Sequence, residues 1–299
     1  MDQEKNNDLS VNKLRYTFSG HETFFCKSLW LKKGYDFVFE NKDFNSSNAV
    51  IDLGVGKNMV ASIKFWIRAF GLYDENGLTY IANYLFNKDI GKDQYIEDIG
   101  TLWLLHYNLI KTDFASIYKL FFVDFHKEKN GDFTKEQLQY FIKRKNGETK
   151  FAHLYNENTV KKDINVLFQN YLIPDFGRPN EDYSALLINL NLLKYSEDEE
   201  NKNRLYYFNS KGKNEIPPDI FLYAIIEDKD QDQIVSFDRL IDLSLIFCLT
   251  KNELIDILLI LVKQYPESLR FTDDGGIKQL FFLKEIDKTQ ILENYYNKK

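Results

Sequence analysis

Cysteine is nearly absent from this chain: Cys26 and Cys248 are the only two in 299 residues. Two thiols cannot build a disulfide framework or a four-thiolate site. Disulfide-stapled scaffolds and structural zinc on sulfur are therefore excluded, and the usage fits a reducing compartment. Proline and glycine are also scarce, at five and fourteen residues, which leaves little scope for low-complexity tracts. No apolar run approaches the roughly 18 residues of a membrane span. Ile255–Val262 is the longest candidate, and Asp256 interrupts it. The first residues, Met-Asp-Gln-Glu-Lys-Asn-Asn-Asp, contain no apolar segment, which argues against a signal peptide and for a cytoplasmic protein without membrane contact.

Aromatic residues are plentiful. The 25 Phe, 19 Tyr and 3 Trp supply ample apolar area for a core, so disorder is excluded. The length predicts two domains. Residues 1–12 read as a flexible tail, 13–130 as an N-terminal winged-helix domain, 131–178 as a helical connector and 179–299 as a C-terminal α+β domain. Pro174, Gly177 and Pro179 mark the second boundary. The fold class is α+β, mainly α-helical, with a winged helix-turn-helix first and a second helical, winged-helix-like unit behind it.

The formal charge of −6 argues mildly against nucleic acid, but it is unevenly spread. Residues 13–70 carry nine basic and five acidic side chains, and residues 140–180 carry seven and four. Residues 181–299 carry fifteen and twenty-two. Positive potential therefore sits in the first quarter and near the middle, and the C-terminal part is acidic. Scatter of charge along a solvated chain gives the same figures.

The strongest local pattern lies between residues 45 and 81. Asn45-Ser46-Ser47-Asn48 is a cluster of capping residues before a short helix, Ala49–Leu53, that stops at Gly54. A second helix follows over Lys57–Phe70, where Met59, Ile63, Trp66, Ile67 and Phe70 form one apolar face and Gly71 ends it. Lys57, Ala61, Lys64 and Arg68 form another stripe, flanked by Asn58 and Ser62. Asp74-Glu75-Asn76-Gly77, between Leu72-Tyr73 and Leu78-Thr79-Tyr80-Ile81, predicts a hairpin. Helix, turn, basic helix and hairpin is the order of a winged helix-turn-helix, whose second helix enters the major groove. The same unit also serves as a protein-binding scaffold. Lys57, Lys64 and Arg68 are candidate phosphate contacts, and Asn58 and Ser62 are candidates for base edges. Downstream, Thr134 with Gln137 predicts a capped helix over 135–145, and a helix opens at Asn158 or Thr159. A helix over 251–264 and a hairpin over 269–283 repeat the helix-wing order without its basic charge.

Catalytic motifs are missing. Gly54-Val55-Gly56-Lys57 lacks the glycine and the hydroxyl that a phosphate loop needs, because Ile51 and Asn58 hold those positions. His21, His106, His126 and His153 stand alone, and none has metal-ligand spacing. Asp132 with Glu148-Thr149-Lys150 fits a restriction-type nuclease pattern loosely. Such acid-x-Lys triplets also occur at 40, 200 and 227, no more often than chance gives.

Four blocks carry a family resemblance: Phe18-Ser19-Gly20-His21-Glu22-Thr23-Phe24, Trp30-Leu31-Lys32-Lys33-Gly34-Tyr35-Asp36, Leu53-Gly54-Val55-Gly56-Lys57-Asn58-Met59-Val60 and Gly100-Thr101-Leu102-Trp103-Leu104-Leu105-His106. Together they closely resemble the family catalogued as domain of unknown function 4007, over nearly the whole chain. The resemblance implies a role in bacterial or archaeal genome defence, as in the SspB component of DNA phosphorothioate modification systems. It implies a DNA-nicking protein working beside sulfur-transfer and ATPase components, with Mg²⁺ or Mn²⁺ as the metal of a nicking reaction. The partners expected are double-stranded DNA and those components, with a homodimer also allowed. His21 and Glu22, in the most distinctive block, are the first candidates for general base or metal contact; hydrogen bonding within a turn is the competing reading. Lys27 stands where the family pattern leads one to expect arginine, a change that a phosphate contact tolerates better than a bidentate one. With Lys32 and Lys33 it completes the expected DNA-binding set. A non-catalytic adaptor that recruits the sulfur-transfer enzymes is the alternative.

Overall fold

Apolar periodicity at 3.6 residues shapes the first third of the molecule into helices, with one short hairpin between them. The computed structural model describes residues 15–129, 131–175, 177–179, 183–197, 203–213 and 215–298; the expected tail at 1–12 lies outside them. The first helices are α1 (Trp30–Phe39), α2 (Ala49–Leu53) and α3 (Lys57–Ala69). The two helices expected over 49–53 and 57–70 are present, with Gly54 in the left-handed region at φ 61° closing α2. The helices α1 and α3 cross so closely at Gly34 that a β-carbon there would meet Ile67 Cγ2 at 2.5 Å. Gly34 in the second family block is thus a packing requirement.

The hairpin is shorter than expected. Strands β1 (Tyr73–Asp74) and β2 (Gly77–Leu78) pair Tyr73 with Leu78 and Asp74 with Gly77. The residues expected to extend its second arm instead open α4 (Tyr80–Phe86), because the Thr79 hydroxyl accepts from the Ala82 N–H and caps a helix there. The next helix, α5 (Ile99–Thr112), is apolar on every side and is buried from Gly100 to Ile110. Asp98 caps it, and Gly100 admits Tyr295, whose hydroxyl donates to Asp98 Oδ1 at 2.7 Å.

The middle of the chain is helical. Helix α6 (Ser116–Lys119) runs through a π-helical turn, Leu120–Phe125, into α7 (His126–Glu128). Helices α8 (Lys135–Gly147) and α9 (Glu157–Tyr171) follow. Thr134 and Gln137 form the expected capping box. Asn156 caps α9, two residues before the expected start, because its side chain accepts from the Thr159 N–H. The antiparallel strands β3 (Leu193–Glu197) and β4 (Arg204–Phe208) lie beside them, and Phe133 and Tyr206 exchange both backbone hydrogen bonds at 2.8 Å.

The last part comprises α10 (Pro218–Lys229), β5 (Ile234–Ser236), α11 (Phe237–Ile246), α12 (Lys251–Gln264), β6 (Leu269–Asp274), β7 (Ile277–Phe282) and α13 (Lys288–Tyr296). The expected helix and hairpin are there, and β5 adds a third antiparallel strand in the order β5-β7-β6. The whole is α+β and mainly helical. One continuous apolar core runs through all three expected segments. Trp103 Nε1 donates to the Glu215 carbonyl, His106 Nε2 to the Ile246 carbonyl and Tyr107 Oη to the Ala224 carbonyl, so α5 ties the first segment to the last. Among the described residues no helix is long and apolar enough to cross a membrane.

Candidate nucleic-acid interface

Helix α3 presents its basic stripe to an open groove of about 750 Å³. Lys57, Lys64 and Arg68 line one wall; Asn45, Ser46 and Ser47, in the loop before α2, line another. Spacings of seven and four residues place the three cations on one side of the helix. Lys64 Nζ donates to Asn45 Oδ1 at 3.0 Å, and the Arg68 guanidinium lies 5.0 Å from the centre of the Phe114 ring. None of the three makes an ion pair with a carboxylate among the described residues, and none of the described residues lining the groove is acidic. Elsewhere cations are commonly neutralised, as in Lys127 with Asp242, Arg144 with Glu128 and Arg239 with Asp228. In a chain of net charge −6 this groove keeps its positive charge.

Asn58 is exposed at the start of α3. Ser62 is not: it is fully buried, and its hydroxyl donates to the His21 carbonyl at 3.1 Å. The expectation that it shares the cationic face is corrected, since a residue five positions from Lys57 on a helix turns by well over one revolution and here meets the core. Lys32 and Lys33 lie on α1, apart from the groove. Lys32 pairs with Asp36 one turn on at 2.5 Å, and Lys33 donates to the Leu53 carbonyl at 3.0 Å, satisfying the end of α2. They share their surface with Asp36, Glu40 and Asp52, which cancel much of the potential. Lys27 lies beside the Trp30 ring, 6.0 Å from its centre, and its backbone bridges to Ala185. The structure therefore brings together Lys57, Lys64 and Arg68, and leaves Lys27, Lys32 and Lys33 outside that groove. Asn45, Ser46 and Ser47 belong to the groove although the sequence pattern reads them only as caps; Asn48, at the cap position, makes no side-chain cap bond.

The most distinctive family block faces inward. His21 is buried, stacked on Trp66 with Phe65 at its edge. Its Nδ1 accepts from the Thr23 N–H at 3.1 Å, so the ring proton sits on Nε2 and is donated to Asp163 Oδ1 at 2.9 Å. Both nitrogens are occupied, and the ring positions the loop rather than meeting solvent. Glu22, its neighbour, is exposed and in the left-handed region at φ 48°. The structure does not converge the two side chains on a common point. Cys26 and Cys248 are buried free thiols; burial pushes Cys248 up to about 12 and Cys26 upward too, which removes both as nucleophiles. Among the described residues no three His, Cys, Asp or Glu side chains gather in a way that could hold a metal ion. Mg²⁺ held by one or two carboxylates and substrate phosphates needs no such group, but the side chains here single out no position for it.

Two solved structures share this architecture. One is described as "Magnesium ion-bound SspB crystal structure", with a TM-score of 0.80 and 24% sequence identity, covering 95% of this chain and 88% of that chain. The other, described as "SspB crystal structure", has a TM-score of 0.81 with the same identity and coverage. At that identity the likeness is one of fold. Among curated protein sequences no significant match is found. The family model described as "Protein of unknown function (DUF4007)" matches residues 18–296, with all four sequence blocks inside that span, and the chain belongs to that family.

Proposed function

We propose that this protein is a DNA-binding component of a DNA phosphorothioate modification system, and that duplex DNA lies along the groove of α3. The observation that carries the reading is the groove itself: three cations on one helical stripe that form no ion pair among the described residues, facing a loop of Asn and Ser, with no acidic residue among those described that line it. Phosphate oxygens match that chemistry. Lys57, Lys64 and Arg68 would supply charge, and the amide and hydroxyl groups of Asn45, Ser46 and Ser47 would fix register on the backbone. Asn58 is the exposed group on α3 suited to a base edge. The SspB fold and the family resemblance support the modification system as the setting; one SspB structure holds magnesium.

Strand nicking is the activity that the resemblance implies. The buried His21 does not support the catalytic role expected of it, and Glu22 is the exposed member of that pair. The protein is therefore read first as the DNA-binding part, with nicking as a second activity to be measured on the same sample. Fluorescence anisotropy with a labelled duplex tests the first: joint replacement of Lys57, Lys64 and Arg68 by Glu should abolish binding at low salt. Unchanged affinity would refute it. Relaxation of a supercoiled plasmid with Mg²⁺ or Mn²⁺, blocked by a chelator and by Glu22→Ala, tests the second. Persistent supercoils in a sample that binds DNA favour the adaptor.

A further inference from the structure

A second cavity, of about 310 Å³, opens between the start of α8, the last turn of α9 and the β3–β4 hairpin. Among the described residues three cations line it, Lys135, Arg178 and Arg204, against one carboxylate, Asp175. Lys135 is the unusual one. It is the first residue of α8, at the helix end that favours negative charge. Its Nζ lies 5.1 Å from the centre of the Phe168 ring and donates to Asn165 Oδ1 at 2.8 Å. Among the described residues no carboxylate forms an ion pair with it. Burial and the neighbouring Arg204 both disfavour its charge, and nearby Glu136 offsets them only in part.

Arg204 is already oriented. It pairs with Asp175 at 2.8 Å and with Glu197 at 3.1 Å, and its guanidinium lies 4.3 Å from the centre of the Tyr195 ring. The Tyr195 hydroxyl donates to Asp175 at 2.5 Å, which fixes the carboxylate in turn. A planar cation stacked and held in this way offers a face for another flat group. Part of the lining is apolar, from Leu172, Ile173 and Pro174. Asn165 and Gln169, one helical turn apart on α9, add amide edges of the kind that read adenine. The volume suits a small ligand with a charged head and a flat body.

We propose that this cavity binds a nucleoside 5′-phosphate, with the phosphate beside Lys135 and Arg178 and the base between Arg204 and the apolar wall. A phosphate would supply the paired counter-charge that Lys135 does not find among the described carboxylates, which explains why a cation is kept there at a cost. The ligand comes either as a free nucleotide or as the 5′ end of a nucleic-acid strand; the recognising chemistry is the same.

Calorimetric titration of the full chain with AMP at low ionic strength tests this. AMP is expected to bind, with adenosine and inorganic phosphate each weaker. Lys135→Gln and, separately, Arg178→Gln should each weaken AMP by about tenfold or more, as loss of a charge-assisted contact does. Lys135→Arg should restore most of the affinity. Without ligand, Lys135→Gln should melt no lower than the parent chain, since it removes a desolvated cation. Competition by a 5′-phosphorylated oligodeoxynucleotide, but not its 5′-hydroxyl form, assigns the site to a strand end; AMP binding without such competition assigns it to free nucleotide. No heat with millimolar AMP, phosphate competing as well as AMP, or a Lys135→Gln chain that binds AMP like the parent would each overturn the proposal. Duplex binding at α3 should be the same in Lys135→Gln, so the two sites fail or stand separately.

Discussion

His21 donates from Nε2 to Asp163 Oδ1 at 2.9 Å, across 142 residues of sequence, and both side chains are buried. Asp163 also accepts from the Ser19 N–H at 2.9 Å. The loop it holds is strained, with Ser19, Glu22 and Thr23 at φ 73°, 48° and 63°, a region that side chains other than glycine enter at a cost. Replacing Asp163 by Ala leaves the imidazole N–H and the Ser19 amide without an acceptor. A loss of about 3 kcal/mol or more is expected, read from urea denaturation midpoints. His21→Ala should cost a similar amount, and the double variant little more than either, because the two act as one unit. Additive losses would show that His21 and Asp163 serve separate purposes.

Charge at α3 makes a quantitative expectation. Each phosphate neutralised on B-DNA contributes about −0.9 to the slope of log affinity against log salt. If Lys57, Lys64 and Arg68 each meet a phosphate, their joint replacement by Gln should flatten that slope by about 3. Lys32→Gln with Lys33→Gln should flatten it by less than about 1, because Lys32 is committed to Asp36 and Lys33 to the Leu53 carbonyl. Anisotropy titrations at several salt concentrations give both numbers. Equal effects from the two sets would move the interface from α3 to the wider N-terminal surface.

Much of the fold was legible in the sequence where the signal is local. The α2 and α3 helices end at the expected glycines, the Thr134 and Gln137 box forms, and the hairpin at Asp273-Asp274-Gly275-Gly276 turns where expected. Long-range pairing was not legible. Nothing near His21 announces Asp163, and Ile234–Ser236 is too short a run to be seen as a strand until β7 pairs with it. Ser62 illustrates the limit on one helix. It lies beside the polar stripe in the pattern, yet the incoming His21 loop covers it, because a helix face is buried by whatever packs on it and not only by its own apolar residues. Lys135 was legible only as the first residue after a cap; that it stands in a cavity without an ion pair among the described residues is a property of three elements meeting.

Ser62 and Asn58 therefore separate stability from binding. Ser62→Ala removes a buried donor to the His21 carbonyl and should cost about 1 kcal/mol, with duplex affinity unchanged. Asn58→Ala is exposed and should leave the denaturation midpoint unchanged to within about 0.5 kcal/mol. If α3 lies in a groove of DNA, the same change lowers affinity for a cognate sequence more than for random duplex. The reverse pattern, affinity lost with Ser62→Ala at unchanged stability, would restore the serine to the surface stripe.

Acid sensitivity should begin well above the carboxylate range, because two histidines are held neutral by burial. Burial pushes His106 down to about 4, against the opposing pull of the hydrogen bond that its Nε2 donates to the Ile246 carbonyl at 2.7 Å; its Nδ1 accepts from the Tyr171 hydroxyl at 2.7 Å. His126 is also pushed down to about 4 by burial, and it stacks on Phe208 with ring centres 3.8 Å apart. An unfolded histidine titrates near 6.5. Between pH 6.5 and 4 the unfolded chain thus binds more protons than the folded one, so stability rises with pH across that window and is lost as pH falls through it. Each histidine contributes on the order of 3 kcal/mol at pH 7, a contribution gone near pH 4. The carboxylates held below their usual range, such as Asp175 and Glu253, add their own loss only lower down. Denaturant midpoints at pH 7, 5.5 and 4.5 should fall steadily. His126→Phe, which keeps a ring against Phe208 and cannot titrate, should make that fall shallower, whereas an identical pH profile in the variant would remove His126 from the linkage.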